Sequence, residues 1–421
     1  MGRLAGPRRL GAVWYDRARL AAAKTAAAAR LASKRTEAYD MRHSYERVAI
    51  LIGCIGFCCS GCVRPPEPAP LDAQDQSRFR ALSVQTLREA AFGDDPVLRM
   101  QAMEAIQEVA PADAASCIAE NVDNGYAGVS FAALMALGDL RRSTAESSAR
   151  LAVANQNRLL QRVRTLAEDR DPNVRIASLY ALHAMGDATR TKELADFLLR
   201  NADARVRANA ALAVGRLRDP SSVPLLHQAL KREKKDAVKM QILEALASLG
   251  DSHGIERLKF YGFSAVPDQA ALALMCLANA RTIEAEEMFR IRLRDTDYPE
   301  IRLQAARGLG RLGFEDGLET AVRDLFFDRP RRNIANDPPQ QQIARIRALA
   351  ALALEAIGNP TALGPLWNAF NEPGQSPYVR LAIARAALRL IDARTPDAVR
   401  PAGFESHRAP TNRIAGTNVQ D

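Results

Sequence analysis

Apolar and small residues recur along most of the chain at helical spacing, with polar residues between them. In one segment, Val206, Ala210, Ala213 and Leu217 are separated by four, three and four positions, which places them on one face of an α-helix. Asp or Asp-Pro often precedes such a segment. Both suit a helix start, because Asp caps the first turn and Pro is tolerated there. The pattern predicts a succession of short helices joined by turns.

A pair of residues, usually a β-branched apolar residue followed by a basic one, opens these segments at a regular interval. The copies begin at Leu98-Arg99, Val129-Ser130, Val174-Arg175, Val206-Arg207, Val238-Lys239, Gln269-Ala270, Ile301-Arg302, Ile346-Arg347 and Val379-Arg380. Most steps between copies are 31 to 33 residues, and two are 45, which indicates loops inserted into a regular array. A period of this length predicts stacked helix pairs, because neither helix of a pair can bury its apolar face alone.

The segment Asp171-Pro172-Asn173-Val174-Arg175, followed by alanines at helical spacing, resembles the HEAT repeat in its short bacterial form, first described in bilin lyases. The resemblance covers roughly residues 80–393. It implies an all-α, right-handed α-solenoid of about nine helix pairs over residues 81–393, with the first copy acting as a cap. It also implies a structural role for the repeated pairs, in which the basic side chain bonds to neighbouring Asp or carbonyl groups. These residues are Val174, Arg175, Val206, Arg207, Ile301, Arg302, Ile346, Arg347, Val379 and Arg380. The alternative for the arginines is a row that binds anions.

Residues 41–61 have the layout of a secretory signal peptide. Arg42 and Arg47 precede an apolar run, residues 48–59, that is too short for a comfortable membrane span. We therefore expect translation to begin at Met41, and the Ala/Arg-rich residues 1–40 to be an upstream misannotation or leader. The alternative is that residues 1–40 are part of the protein, as an unusually long basic region of the signal peptide or as a cytoplasmic tail.

The end of this segment, Cys59-Ser60-Gly61-Cys62, resembles the lipobox of bacterial lipoproteins, with Cys59 standing where Leu is usual. The resemblance implies cleavage before Cys62 and a lipid on its thiol. It also implies a membrane-anchored protein of the cell envelope, on the periplasmic or outer side. An ordinary signal peptide is the alternative. Residues 62–80 begin with four prolines in a short span and predict an extended tether, and the aperiodic residues 394–421 predict a disordered tail.

Charge argues against a nucleic-acid partner. The formal net charge is +9, but 11 of the 58 basic residues and four of the 49 acidic ones lie in residues 1–62. The remaining chain has 47 basic and 45 acidic residues, so it is close to neutral. A strongly basic surface is the electrostatic feature that nucleic-acid binding requires.

No catalytic or metal-binding pattern is evident in the sequence. Iron hydroxylases built of HEAT-like repeats carry His-Glu pairs. The five histidines of this chain are His43, His183, His227, His253 and His407, and none is followed by Glu. Cys117 and Cys276 are expected in the core without a disulfide, because repeats of a solenoid contact only their neighbours. We therefore expect no enzyme activity, no cofactor, no metal and no small-molecule substrate.

Two segments are candidates for partner contact. The polar, Pro-rich insertion 328–340 carries Arg329, Arg331 and Arg332, and insertions in solenoids often lie on the binding face. The alternative is a surface loop that has no role in binding. In the degenerate copy, Tyr261-Gly262-Phe263 either marks a contact site or packs in the core.

The sequence therefore predicts a lipid-anchored, non-catalytic scaffold that binds other proteins at the cell envelope. The alternative is a cytoplasmic HEAT-like enzyme or maturation factor, of bilin-lyase type or acting on nucleic acid.

Overall fold

Helices account for most of the residues that the structure describes. A computed structural model describes residues 71–143, 153–331 and 337–393, and this part of the chain contains no strand. Its α-helices are α1 (Ala73–Phe92), α2 (Pro96–Val109), α3 (Pro111–Asn121), α4 (Ala127–Ser143), α5 (Val153–Leu166), α6 (Pro172–Ala184), α7 (Glu193–Arg200), α8 (Ala204–Leu217), α9 (Val223–Arg232), α10 (Asp236–Ser248), α11 (Ser252–Gly262), α12 (Pro267–Ala280), α13 (Glu286–Arg294), α14 (Pro299–Arg311), α15 (Leu318–Asp324), α16 (Pro339–Ile357), α17 (Leu363–Phe370) and α18 (Pro377–Asp392). They form the nine helix pairs that the repeat predicts, and the all-α solenoid is confirmed.

The helices begin where the turn residues predict. Asp95 accepts hydrogen bonds from the backbone N–H groups of Val97 and Leu98, at 2.8 and 3.3 Å, and Pro96 is the first residue of α2. Asp171 and Asp203 cap α6 and α8 in the same way. Each cap satisfies N–H groups that have no partner inside the helix and stabilises it by about 1 kcal/mol.

The first residue of each repeated pair is the third residue of an even-numbered helix, as Val206 is in α8. The exception is Ile346, the eighth residue of α16, because the second insertion adds turns to the start of that helix. Seven of the nine are buried, from Val129 to Val379. The repeat read from the sequence is therefore the packing repeat of the fold.

The even-numbered helices form an inner layer, in which each packs along its length on the next, from α2 to α18. The odd-numbered helices lie outside and pack mainly on the even-numbered helices beside them. Glycines allow close approach within the inner layer. A Cβ at Gly310 would lie 2.5 Å from the backbone nitrogen of Ile357, and one at Gly215 would lie 2.7 Å from the Cβ of Ala245.

The first and last repeats pack against each other, so the inner layer closes into a ring. Helix α1 lies along α18, and α18 also contacts α2. The fully buried ring of Phe79 in α1 lies 5.1 Å from that of Trp367 and 5.3 Å from that of Phe370, both in α17. Three polar contacts join α18 to the start of the array, from Tyr378 to Asp95 at 2.6 Å, from Arg80 to Asp392 at 3.0 Å and from Arg385 to Glu108 at 2.7 Å.

Closure corrects two expectations from the sequence. Repeats do not contact only their neighbours in sequence, because the ends of the array meet. The first copy is not a cap facing solvent, because its apolar side is covered by the last copy rather than by polar residues. Nine pairs that close a ring turn by about 40° each on average, a property of packing that no single repeat specifies.

The predicted boundary of the array at residue 81 is also corrected. Helix α1 begins at Ala73, after Asp72 accepts a hydrogen bond from the N–H of Asp75, so residues 73–80 are helical rather than part of an extended tether. The other expectations for the termini concern residues 1–61, the start of the tether and residues 394–421. They lie outside the described residues, as do Cys59, Ser60, Gly61 and Cys62.

Cys117 and Cys276 are both buried free thiols, as predicted. None of the helices in the described part of the chain has the length and apolarity needed to cross a membrane.

Candidate functional site

The arginines of the repeated pairs are engaged inside the stack. Arg207 donates to Glu233 at 2.7 Å and to the backbone carbonyl of Asn201 at 2.8 Å. Arg347 donates to the carbonyl of Phe327 at 2.9 Å and to Glu372 at 2.7 Å. These side chains tie the turn after one outer helix to the next inner helix.

The three other predicted arginines make similar local contacts. Arg302 donates to the carbonyl of Thr296 at 3.0 Å. Arg175 lies over the ring of Phe197 at 5.1 Å, and Arg380 lies over that of Phe370 at 5.5 Å, distances at which a cation and an aromatic face attract. None of these contacts points to a free row of cations on the surface.

The predicted loop arginines lie between α15 and α16. Arg329 is highly exposed and its nearest acidic group is that of Asp328, 3.8 Å away. The backbone of Arg331 is fixed by Gln342, and its guanidinium lies 4.1 Å from the ring centre of Tyr298. Arg332 lies outside the described residues. The structure therefore leaves Arg329 available to a partner and holds Arg331 against the array.

A surface cavity of about 430 Å³ opens between α9, α10 and α11. It is lined by His227, Leu230, Lys231, Lys239, Leu243, His253, Arg257 and Tyr261. Helical spacing explains the lining, because His227, Leu230 and Lys231 share one face of α9. With three basic side chains, two histidines and an aromatic ring, the cavity suits an anionic group attached to an apolar one.

Hydrogen bonds and ring contacts hold this lining in place. His227 Nε2 lies 3.0 Å from Asp251 Oδ2, and the imidazole rings of His227 and His253 are 5.6 Å apart. Burial opposes ionisation of Asp251, but the N–H of Gly254 and the ring of His227 outweigh it and keep the pKa of this carboxyl below its usual value. Asp251 is therefore ionised at neutral pH and orients His227.

Large apolar side chains are exposed next to the cavity, at the junction of α11 and α12. The exposed fractions are 71% for Phe260, 50% for Phe263 and 38% for Val266. Ile283, 55% exposed, lies in a short 3-10 helix that packs on α11. The alternative expectation, that Phe263 packs in the core, is therefore wrong. Aromatic residues make up only 5% of the chain, and two of its exposed phenylalanines lie in this one short segment.

The described residues offer no cluster of three or more side chains that could ligate a metal ion. His183 Nδ1 is bonded to Thr191 Oγ1 at 2.9 Å, and His227 to Asp251, so each of these histidines already has a local partner. The cavity between α9, α10 and α11 and the exposed apolar side chains beside it are suited to binding.

Comparisons with known proteins agree with this architecture. A model of HEAT repeats matches residues 191–260, from α7 to α11. No curated protein sequence matches the chain.

Several solved structures share the helical arrangement at low similarity. Human deoxyhypusine hydroxylase in complex with glycerol is 19% identical over 68% of this chain and 98% of its own, with a TM-score of 0.31. The Escherichia coli protein YibA is 13% identical over 75% and 95%, with a TM-score of 0.29. Kap121p is 12% identical over 74% and 38%, with a TM-score of 0.31. Scores this low carry no argument about activity. Residues 191–260 therefore match HEAT repeats, and helix pairs of the same arrangement lie on both sides of them.

Proposed function

We propose that this HEAT-repeat protein is a non-catalytic scaffold that binds another protein through the outer surface formed by α9, α10, α11 and the start of α12. The exposed side chains of Phe260 and Phe263 beside a basic cavity are the observation that carries the proposal. Burying two aromatic rings at an interface supplies a large part of a typical binding energy, and aromatic residues are enriched at such hot spots.

The positive charge of this surface determines which kind of partner it would bind. Lys231, Lys239 and Arg257 line the cavity, and Lys234 and Lys235 follow in the turn after α9. An acidic segment with apolar side chains would pair with both features of the surface. Electrostatic attraction of this kind raises the association rate and weakens with salt.

Site-specific crosslinking tests the surface. A photo-crosslinking phenylalanine analogue at position 260 should give a single dominant adduct in cells. The same analogue at Phe92 is the matched control, because Phe92 is also partly exposed (42%) but lies in α1. The adduct at position 260 should disappear when Lys231 and Arg257 are replaced by Glu. Equal adducts at both positions, or an adduct that survives the charge reversal, would contradict the proposal.

Lipid attachment at Cys62 places the scaffold at the cell envelope, on the periplasmic or outer side. This part of the proposal is supported by Ser60, Gly61 and Cys62 and by the prolines that follow, since a globular array held by acyl chains needs a spacer. Labelling with a fatty acid should mark the wild-type protein and not Cys62→Ala, which should also leave the membrane fraction. Absence of label in the wild type would favour the alternative of a cytoplasmic enzyme or maturation factor.

A further inference from the structure

The cavity between α9, α10 and α11 places cationic and apolar side chains side by side. In α10, Lys239 precedes Leu243 by four positions, and in α11, Arg257 precedes Tyr261 by four. Residues at this spacing lie on the same face of a helix, with about 5–6 Å between their Cβ atoms. Two of the three helices therefore present a positive charge and an apolar surface within the reach of one amino-acid residue.

The cations on the two side walls of the cavity have no acidic partner in the described part of the chain. Lys231 lies in α9 and Arg257 lies in α11, and both are exposed. No carboxylate oxygen of a described residue lies within 4.0 Å of the ammonium group of Lys231 or the guanidinium group of Arg257. An anion bound between the two walls would pair with both.

The carboxylates that contact the lining are already engaged. Asp251 lies 3.0 Å from His227, and Asp236 accepts from Lys239 at 3.1 Å. Among the described residues, those that line the cavity include no Asp and no Glu. The two cations on the side walls therefore leave the lining with a net positive charge.

Apolar surface continues from the cavity onto the exposed patch. Leu230 and the buried Leu243 line the cavity itself. The ring of Tyr261, which also lines the cavity, is in edge contact with the ring of Phe260 at 5.8 Å, and Phe260 is highly exposed. A bound chain can therefore bury one apolar side chain in the cavity and the neighbouring one against Phe260.

The size of the cavity favours a single residue over a stretch of helix. Its volume is about 430 Å³, near the lower end of the range of roughly 300–1,000 Å³ for ligand pockets. One helical turn with its side chains, about 10 Å across and about 5.4 Å long, fills about 420 Å³ by itself. A helix that continued on both sides would need more room than the cavity has.

An internal extended segment also fits poorly. Successive side chains of an extended chain point to opposite sides, and those on the same side are about 7 Å apart. An internal Asp or Glu would therefore point its carboxylate away from the apolar side chains next to it. The C-terminal residue of a chain differs, because its carboxylate and its side chain are attached to the same carbon.

On the basis of the proposed function, we infer that the cavity binds the C-terminal residue of the partner protein, and that this residue has an apolar or aromatic side chain. Its carboxylate lies between Lys231 and Arg257, and charged hydrogen bonds of this kind are about twice as strong as neutral ones. Its side chain packs on Leu230 and Leu243, and the residue before it packs on Phe260. Capture of a terminal carboxylate is a recurring mode of peptide recognition, and in this cavity side chains provide the donors.

N-acetylphenylalanine is a minimal probe of the cavity, because it has the carboxylate and the aromatic side chain of a terminal residue. Its amide, N-acetylphenylalaninamide, lacks the charge, and acetate lacks the apolar part. Binding to the full chain is followed by NMR through the imidazole signals of His227 and His253, at constant pH and ionic strength. The chain has five histidines, so these two signals can be assigned by replacing each residue with Gln.

We expect N-acetylphenylalanine to shift both signals saturably, and each of the other two compounds to bind at least tenfold more weakly. Equal binding of the amide would mean that the carboxylate is not recognised. Equal binding of acetate would mean that the apolar part is not recognised. Either result, or the absence of any shift by N-acetylphenylalanine, would overturn the inference.

Variants of the two side walls locate the carboxylate. Lys231→Gln and Arg257→Gln together should weaken binding of N-acetylphenylalanine at least tenfold, and the fold should persist because both side chains are exposed. The control pair Lys234→Gln and Lys235→Gln removes the same charge from the turn after α9, outside the lining, and should change the affinity less than twofold. Equal weakening in both pairs would show general attraction only and would overturn the inference.

The adduct formed at position 260 identifies which part of the partner occupies the cavity. Its crosslinked peptide, identified by mass spectrometry, should lie within the last few residues of the partner. A dominant adduct that maps to an internal segment would overturn the inference and leave the proposed protein-binding surface in place. Binding of N-acetylphenylalanine without any adduct would instead refute the proposed function, and would overturn the inference by assigning the cavity to a small free carboxylate.

Discussion

Replacing Phe79 by alanine tests the closure of the ring. Phe79 is fully buried, with the rings of Trp367 and Phe370 at 5.1 and 5.3 Å. Removing a buried phenylalanine costs about 3–5 kcal/mol, because the apolar contact is lost and a cavity remains. Much of that cost falls on α17 and α18, although they lie almost three hundred residues from position 79 in sequence.

Hydrogen exchange read by mass spectrometry distinguishes a closed ring from an open array. In a ring, Phe79→Ala should speed amide exchange in α1, α17 and α18 together, and leave α8 and α10 protected. In an open solenoid, each repeat contacts only its neighbours, so the same change would loosen the first repeat alone. Phe92→Ala is the matched control in the same helix, since Phe92 is 42% exposed and its loss should cost well under 1 kcal/mol.

The reasoning fails if exchange in α17 and α18 is the same in Phe79→Ala and the wild type while α1 loses protection. That result would mean that the contact between the first and last repeats contributes little to stability. Faster exchange at every helix would instead indicate global unfolding, and the comparison would then be repeated with the milder Phe79→Leu.

Three further changes have defined outcomes. Glu108 has a lowered pKa in the fold, so its contribution to stability is present above its ordinary value of 4.5 and is lost as pH falls through the lower folded value. Denaturant midpoints at pH 7 and pH 3.5 should therefore differ less in Glu108→Gln than in the wild type, and an equal difference would contradict this. Arg218 has a φ of 53°, so Arg218→Gly should raise the free energy of unfolding by about 1 kcal/mol, measured by urea denaturation; a decrease would show that its side chain is needed. In Gly310→Ala the new Cβ would lie 2.5 Å from the backbone of Ile357. The free energy of unfolding should therefore fall by about 1–3 kcal/mol, and the melting temperature should fall with it. Gly125→Ala, with nothing within 4 Å, is the control and should change it little.

The candidate site was only partly visible in the sequence. The interval of the repeat located the degenerate copy at residues 260–280 and marked Tyr261 and Phe263 as unusual. It could not say that Phe260 and Phe263 would be exposed, because helical spacing alone does not decide which face of an outer helix is covered.

The local structure of this protein follows from its amino-acid sequence alone. Asp and Pro fix where helices start, and apolar spacing fixes which faces are buried. The interval of about 32 residues fixes the pairing of helices. All three features depend only on contacts within one repeat or between adjacent repeats. The burial of Cys117 and Cys276 followed from the same pattern.

The way in which the array ends could not be predicted and is seen only in the folded protein. Closure depends on the small rotation between successive pairs summed over the whole array, and this sum brings Phe79 to within 5.1 Å of Trp367. The contact between Arg385 and Glu108, at 2.7 Å, follows from that closure, since these residues are distant along the chain and come together only when the ring is complete.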